Sequence, residues 1–381
     1  MDFSLSEEQM MIRQTVREFA EKELAPDARE RDAEERFPKE QVQKMAGLGF
    51  MGMMVEPQYG GGGMDSISYC IMVEELSRVD ASAGVIASVN NSLVCAGIEE
   101  FATEEQKQKF LVPLASGKKL GAFCLSEPST GSDASALQTT ATRDSDHWII
   151  NGAKNWITNG TQADIYLVFA TEDKSAGYKG VHCFMVERGT PGFSIGKKEK
   201  KLGIRSSDTC SLIFEQCKVP AANMLAQPNK GFRVAMFILD GGRIGIASQA
   251  LGIAVASLEA AVIYAKERKQ FGKTLAEFQA IQFMLAEMEV KINAARLLLY
   301  QAAVLKDKGE RFSTAAAKAK LYASKAAMFC ADKAVQIHGG SGYTKDYPVE
   351  RYLRDAKITE IYEGTSEIQK LVIARNVLAD C

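Results

Sequence analysis

Five short segments carry the side chains that chemistry needs. The most reactive is Ile358-Thr359-Glu360-Ile361-Tyr362-Glu363-Gly364-Thr365-Ser366-Glu367-Ile368-Gln369. Glu363 stands in an apolar setting, just before a helix that Thr365 or Ser366 would open. A carboxylate withdrawn from water holds its proton more tightly and becomes a useful base near neutral pH. Any one glutamate is far more often a structural or surface group. Cys124-Leu125-Ser126-Glu127-Pro128-Ser129-Thr130-Gly131-Ser132-Asp133 offers hydroxyls and backbone N–H groups to a polar ring or a phosphate. A hydrogen-bonded turn accounts for that composition equally well. In Lys154-Asn155-Trp156-Ile157-Thr158-Asn159-Gly160, one of the two tryptophans sits near a threonine. The pair suits a planar cofactor, with the hydroxyl on a ring nitrogen, or simply a core tryptophan at a strand end.

Two further segments are basic or glycine-rich. Arg268-Lys269-Gln270-Phe271-Gly272-Lys273 closes an alanine-rich helix. Arg268 suits a phosphate. The same residues also suit a helix C-terminus whose cations match the dipole, with Gly272 as its stop. Gln336-Ile337-His338-Gly339-Gly340-Ser341-Gly342-Tyr343 follows a helix rather than a strand, which rules out a dinucleotide-binding fingerprint. Its glycines permit close backbone approach to a ligand, or end a helix.

The elements that must position these segments differ along the chain. Residues 1 to about 118 read as helical, opened by a capping box at Ser6-Glu7-Glu8-Gln9. From about 119 to 227, short apolar runs alternate with turn signals: Trp148-Ile149-Ile150 before Asn151-Gly152, Ile165 to Phe169, Val181 to Val186, Ser211 to Phe214. Asn-Gly between such runs signals a hairpin, so this stretch reads as an antiparallel sheet or barrel. From about 228 to 381 helical spacing returns. Ile281, Leu285, Met288, Ile292, Ala295 and Leu299 form one stripe, and Ala317, Leu321, Ser324, Met328, Ala331 and Val335 another.

Composition narrows the function classes. The 381 residues are 46% apolar and 25% charged, enough for two or three domains with a shared core. A net charge of −2 without a basic tail speaks against nucleic acid. No unbroken apolar run reaches the ~18 residues of a membrane span. Met1-Asp2-Phe3-Ser4-Leu5 carries no export or transit signature. Eight scattered cysteines without a Cys-x-x-Cys pair read as reduced thiols of a cytoplasmic protein, and three histidines without ligand spacing argue against a metal. Gly60-Gly61-Gly62-Gly63 is followed by Met64-Asp65, so it is not a phosphate-binding Walker loop.

Taken together, the five segments resemble the acyl-CoA dehydrogenase family over nearly the whole chain. Cys124 to Ala136 is similar to the family's first signature segment. Gln336, Gly339-Gly340, Gly342-Tyr343, Asp346, Arg351 and Asp355 are similar to its second. Ile361-Tyr362-Glu363-Gly364-Thr365 resembles the catalytic stretch of short- and medium-chain members, and Leu239-Asp240-Gly241-Gly242-Arg243-Ile244-Gly245 resembles the butyryl-type branch. The resemblance implies an α+β fold: an N-terminal helical domain (1–118), a middle antiparallel β domain (119–227) and a C-terminal four-helix bundle (228–381), in a homotetramer.

The resemblance also implies roles. Ser126, Trp156 and Thr158 would contact the flavin ring of FAD, with Phe123, Leu125 and Ser132 in the same cofactor set. Arg268, Phe271, Gln279, Gln336, Gly339, Gly340, Thr365 and Glu367 would hold the rest, some across a subunit interface. Ser132, Asp240, Arg243, Tyr362 and Gly364 would line the acyl-CoA channel. Long-chain and isovaleryl-type members place their base where this chain has Gly242, so the base falls to Glu363. Its backbone N–H, with an FAD hydroxyl, would bind the thioester oxygen. Asp80 to Glu99 contains no Lys or Arg to grip a dicarboxylate. The expectation is α,β-dehydrogenation of a short-chain acyl-CoA to the trans-2-enoyl-CoA, with electrons passed to an electron-transferring flavoprotein. A branched or alicyclic substrate, an acyl-CoA oxidase, and a non-catalytic flavin- or CoA-binding protein are the alternatives.

Overall fold

The computed structural model describes residues 4–379, so the Met1-Asp2-Phe3 start read above lies outside them. Helix α1 (Glu7–Phe19) begins as its capping box requires: Ser6 Oγ accepts from the Gln9 N–H, and the Gln9 side chain accepts from the Ser6 N–H. Helices α2 (Ser66–Val79) and α3 (Ala81–Phe101) are joined by Asp80, whose carboxylate accepts from the Ser82 and Ala83 N–H groups. The middle of α3, Val89–Cys95, is a π-helical turn. Such turns concentrate at functional sites, and this one faces two ways. A Cβ built on Gly121 would meet Val94, and one built on Gly242 would meet Leu93. Two consecutive residues therefore bring the β region and the C-terminal helices to one place.

Strands β1 (Gly121–Cys124), β2 (Thr140–Asp144), β3 (His147–Thr158), β4 (Ile165–Thr171), β5 (Val181–Glu187), β6 (Phe193–Lys198), β7 (Thr209–Pro220) and β8 (Met224–Leu225) form one sheet in the order β6-β7-β3-β2-β4-β5-β8. Pairing is antiparallel except where β1 and the start of β2 lie parallel to β4. Side chains alternate between faces along a strand. In β4 and β5, Leu167, Phe169, Cys183 and Met185 join the helical core, while Tyr166, Val168, Phe184 and Val186 join a second core within the sheet. Asn151-Gly152 does not turn the chain, as its composition suggested. Strand β3 runs straight through it with a register shift against β7, and the hairpin lies earlier, at Ser145-Asp146. Gly152 is needed because a Cβ there would run into Thr139.

Helix α4 (Gly231–Glu267) spans 37 residues and packs against α5 (Gln279–Asp307) and α6 (Ser313–His338), with α7 (Val349–Ile358) and α8 (Ser366–Ala379) on α6. Gly272 does not stop α4, which ends at Glu267. It closes a two-residue hairpin between β9 (Lys269–Gln270) and β10 (Lys273–Thr274), where Phe271 (φ 52°) and Gly272 (φ 80°) both take left-handed backbone. The stripe read on α5 is correct in Met288, Ile292, Ala295 and Leu299. On α6 the stripe is correct in Ala317, Ser324 and Ala331, with Met328 and Val335 packed against the core, and the buried face is wider than read, taking in Ala316, Lys320, Ala323, Ala327 and Ala334. Helices α3 and α4 are each long and apolar enough to cross a membrane, which no unbroken apolar run discloses, but 94% and 67% of their apolar windows are buried inside the protein. The seven described cysteines are free and buried.

Candidate active site

Glu363 lies in the turn between α7 and α8 with φ 51°, left-handed backbone that costs a non-glycine residue ~1–3 kcal/mol. Gly364 follows at φ 91°, and Thr365 caps α8 by accepting the Ile368 N–H at 3.3 Å. The turn is held from two sides. Gln369 Nε2 donates to the Gly364 carbonyl at 2.9 Å and to the Glu363 carbonyl at 3.3 Å, and Lys320 Nζ donates to the Gly364 carbonyl at 2.7 Å. The backbone is thus fixed while the carboxylate is left free. Glu363 Oε2 is buried without a hydrogen-bond partner, and the residue as a whole is half-buried. Burial pushes its pKa up to about 8, against the opposing pull of Lys320 and then Arg243.

Of the residues expected on the substrate side, Asp240 and Arg243 lie on α4, and Tyr362 and Gly364 flank Glu363 in its turn. A Cβ at Gly242 would sit 2.3 Å from Glu363 Oε2, so any side chain there competes for the carboxylate's position. Arg243 is paired with Asp240 one turn away, and Ser313 Oγ donates to the same Asp240 carboxylate at 2.9 Å. A turn beyond Gly242, a Cβ at Gly245 would meet Ser88 Oγ and the Tyr69 hydroxyl, which are hydrogen-bonded to each other at 2.9 Å. Next comes Gln249, whose Oε1 accepts from the Tyr362 hydroxyl and whose Nε2 donates to the Ala81 carbonyl. Ser132 stands apart, exposed in the loop after β1.

The flavin-side residues come together at the ends of β1 and β3. The Asn155 N–H donates to the Ser126 carbonyl at 2.9 Å. Lys154 Nζ, wholly buried, donates to the Leu125 carbonyl at 3.2 Å and to Glu127 Oε1 at 2.7 Å. Glu127 in turn accepts from the Gln138 and Thr139 N–H groups. Burial raises the Glu127 pKa, but Lys154 and these amides outweigh it and hold the carboxyl below its ordinary value. This buried knot fixes the loop that carries Ser126 against the strand that carries Trp156 and Thr158. Phe123 packs edge-on to Phe169 at 5.2 Å, and Leu125 is in the core.

Trp156 itself is 61% exposed and left-handed at φ 62°. A large aromatic held in strained backbone and left uncovered fits a planar ring better than it fits a core. Phe271 is 92% exposed, also left-handed, and Arg268 and Gln279 are exposed beside it. Gln336, Gly339 and Gly340 are exposed at the end of α6, where a Cβ on either glycine would meet nothing. Tyr264 stacks on His338 at 4.2 Å and joins that corner to the end of α4. Glu367 is exposed on α8. Uncovered aromatics, open glycine backbone and an unpartnered carboxylate together fit FAD and an acyl thioester. Arg351 and Asp355, from the second signature, instead join parts of the fold: Arg351 donates to the Val79 carbonyl and Asp355 accepts from the Ile204 N–H.

Sequence reasoning did not single out Lys320, Gln249, Tyr69, Ser88 or the Lys154–Glu127 pair. Lys154 and Glu127 lie in two of the five segments, but a partner 27 residues away leaves no local signature.

Known proteins resemble this chain over nearly its whole length. Residues 6–118, 122–217 and 229–378 match the N-terminal, middle and C-terminal domains of acyl-CoA dehydrogenase. The short-chain specific acyl-CoA dehydrogenase of Clostridium acetobutylicum is 55% identical over 99% of this chain and 100% of its own. The human mitochondrial short-chain specific enzyme is 52% identical over 98% of this chain and 91% of its own. The structure of butyryl-CoA dehydrogenase from Megasphaera elsdenii superposes with a TM-score of 0.98 at 51% identity, covering 99% of this chain and 100% of that one. A chain in a structural study of the electron transferring flavoprotein of Acidaminococcus fermentans gives 0.98 at 53% identity, with the same coverage. The chain belongs to the acyl-CoA dehydrogenase family of FAD-dependent oxidoreductases.

Proposed function

We propose that the protein dehydrogenates short, uncharged acyl-CoA thioesters between Cα and Cβ with Glu363 as the base, passes the electrons to an electron-transferring flavoprotein, and works as a cytoplasmic homotetramer. The observation that carries this reading is the buried, unpartnered Glu363 Oε2 on a turn whose Glu363 and Gly364 carbonyls are held by Gln369 and Lys320. FAD, when bound, supplies the acceptor for the β hydride. Trp156, Thr158 and Ser126 would hold its ring, and Arg268, Phe271, Gln279, Gln336, Gly339, Gly340, Thr365 and Glu367 the remainder. The chain's own residues do the rest. Glu363 takes the α proton. Its backbone N–H donates to the thioester oxygen, where negative charge develops as that proton leaves. The apolar surroundings exclude water, which strengthens that hydrogen bond and keeps the base near its working range.

The depth of the site favours a short chain. Along α4 from Gly242, the buried Tyr69–Ser88 pair at Gly245 and then the Tyr362–Gln249 pair present hydrogen-bonded polar groups. A longer acyl tail would have to displace these groups and leave their hydrogen bonds unmade, at ~1–3 kcal/mol for each. Asp80 to Glu99 brings no cation to meet a distal carboxylate. The tetramer is supported by Phe283, Val290, Leu297 and Val304, which repeat every seven residues on the outer face of α5 and are exposed in the single chain.

The test is a substrate screen with purified holoenzyme, comparing oxygen with an electron-transferring flavoprotein as acceptor. Butyryl-CoA should give the highest kcat/KM and the flavoprotein the faster turnover. A higher value for palmitoyl-CoA, glutaryl-CoA or a branched or alicyclic thioester would refute the short-chain assignment. Full turnover with oxygen alone would indicate an oxidase.

A further inference from the structure

Lys320 is wholly buried on α6, among the small buried residues Ala316, Ala317, Ala323, Ser324 and Ala327. Its ammonium donates to the Gly364 carbonyl, and among the described residues it makes no ion pair. A buried ammonium without a carboxylate in contact is costly, and a face of small residues has no packing need for one. The charges around it show what it faces. Glu363 acts on it most strongly, Arg243 on α4 opposes, and Glu360 before the turn and Glu367 at the start of α8 contribute less. Reciprocally, Lys320 is the strongest charge acting on Glu363, ahead of Arg243, which is already neutralised by Asp240.

We propose that Lys320 is a positioning residue for the base: it fixes the Glu363–Gly364 turn through the Gly364 carbonyl, and its charge keeps the Glu363 carboxylate ionised until the α proton arrives. The inference rests on Glu363 being the base. No proton passes through Lys320. The α proton goes to Glu363, and none is transferred to or from Lys320. Burial drives Glu363 up and Lys320 down, each to about 8, and because each charge acts on the other the limb near 8 belongs to both groups.

The test uses Lys320→Met and Lys320→Gln holoenzymes. Anaerobic flavin reduction by butyryl-CoA is followed against pH, together with the infrared band of the protonated Glu363 carboxyl, identified by its loss in Glu363→Gln. Without the cation, Glu363 should hold its proton to higher pH. The acid limb of the rate and the infrared titration should both move up by about one pH unit, a roughly tenfold lower rate below the limb. At high pH, Lys320→Gln, which retains a donor, should approach the wild-type rate, and Lys320→Met should stay below it. If Lys320→Met does not hold FAD, Lys320→Gln decides alone. An unshifted infrared titration, or a rate loss uniform across pH, would overturn the proposal. A wild-type rate of flavin reduction in Glu363→Gln would instead refute the base assignment on which it rests.

Discussion

At the scale of single residues, the site is a trade between conformational cost and chemical readiness. Trp156, Phe271 and Glu363 are three of the ten non-glycine residues with left-handed backbone among those described, and all three belong to the candidate site. Replacing Glu363 with Gly should relieve both backbone strain and an unpartnered buried carboxylate. Calorimetry should therefore show Glu363→Gly melting ~1–2 °C above wild type while activity is lost. A lower melting temperature would mean that the carboxylate stabilises the turn. The raised pKa has its own consequence. The base must be ionised, so kcat/KM should climb with pH through an apparent value near 8, a limb that belongs to the Glu363–Lys320 pair. A profile flat from pH 6 to 9 would contradict this. Glu363 was legible in the sequence because its neighbours form a family motif. Lys320 was not: α6 has small residues on several faces, and Lys318 and Lys325 on the same helix are exposed.

At the scale of elements, the two ties that matter join parts of the chain far apart in sequence. The Lys154–Glu127 pair is buried on both sides, so losing one partner strands the other charge. Lys154→Met should cost about 3–5 kcal/mol and release flavin, measurable as lower FAD content and earlier unfolding. Unchanged flavin content would show that the Ser126 loop holds itself. Helix α4 offers a second test, because a side chain at Gly242 is aimed at the Glu363 carboxylate. Gly242→Glu combined with Glu363→Gly should recover part of the flavin reduction that Glu363→Gly loses. No recovery, in a variant that still binds FAD, would mean that the two positions do not reach the same proton. The helix and strand blocks were readable from periodicity. The Asn151-Gly152 bulge and the Phe271-Gly272 hairpin were not, because Asn-Gly serves a bulge as well as a turn, and a glycine after a helix can belong to the next element.

At the scale of the whole molecule, one chain leaves much of its proposed FAD surface uncovered: Phe271, Gln279 and Gln336 face outward, and the α5 stripe is unpartnered. Leu297→Asp should disrupt assembly, lowering the mass seen by light scattering, and should weaken FAD retention at the same time. A Leu297→Asp protein with wild-type mass would remove the α5 stripe as an interface. The division of labour follows the same plan. The sheet carries the proposed ring-binding residues, the C-terminal helices carry the proposed base, and the π turn of α3 touches both blocks through Leu93 and Val94.

The central claim is that Glu363 abstracts the α proton, and single-turnover flavin reduction in Glu363→Gln tests it most directly. The amide keeps the size of the side chain and removes the base. FAD content, melting behaviour and butyryl-CoA binding should be retained, while the rate of flavin bleaching by butyryl-CoA falls by at least about 10²–10⁴-fold. Bleaching at the wild-type rate would show that another group takes the proton.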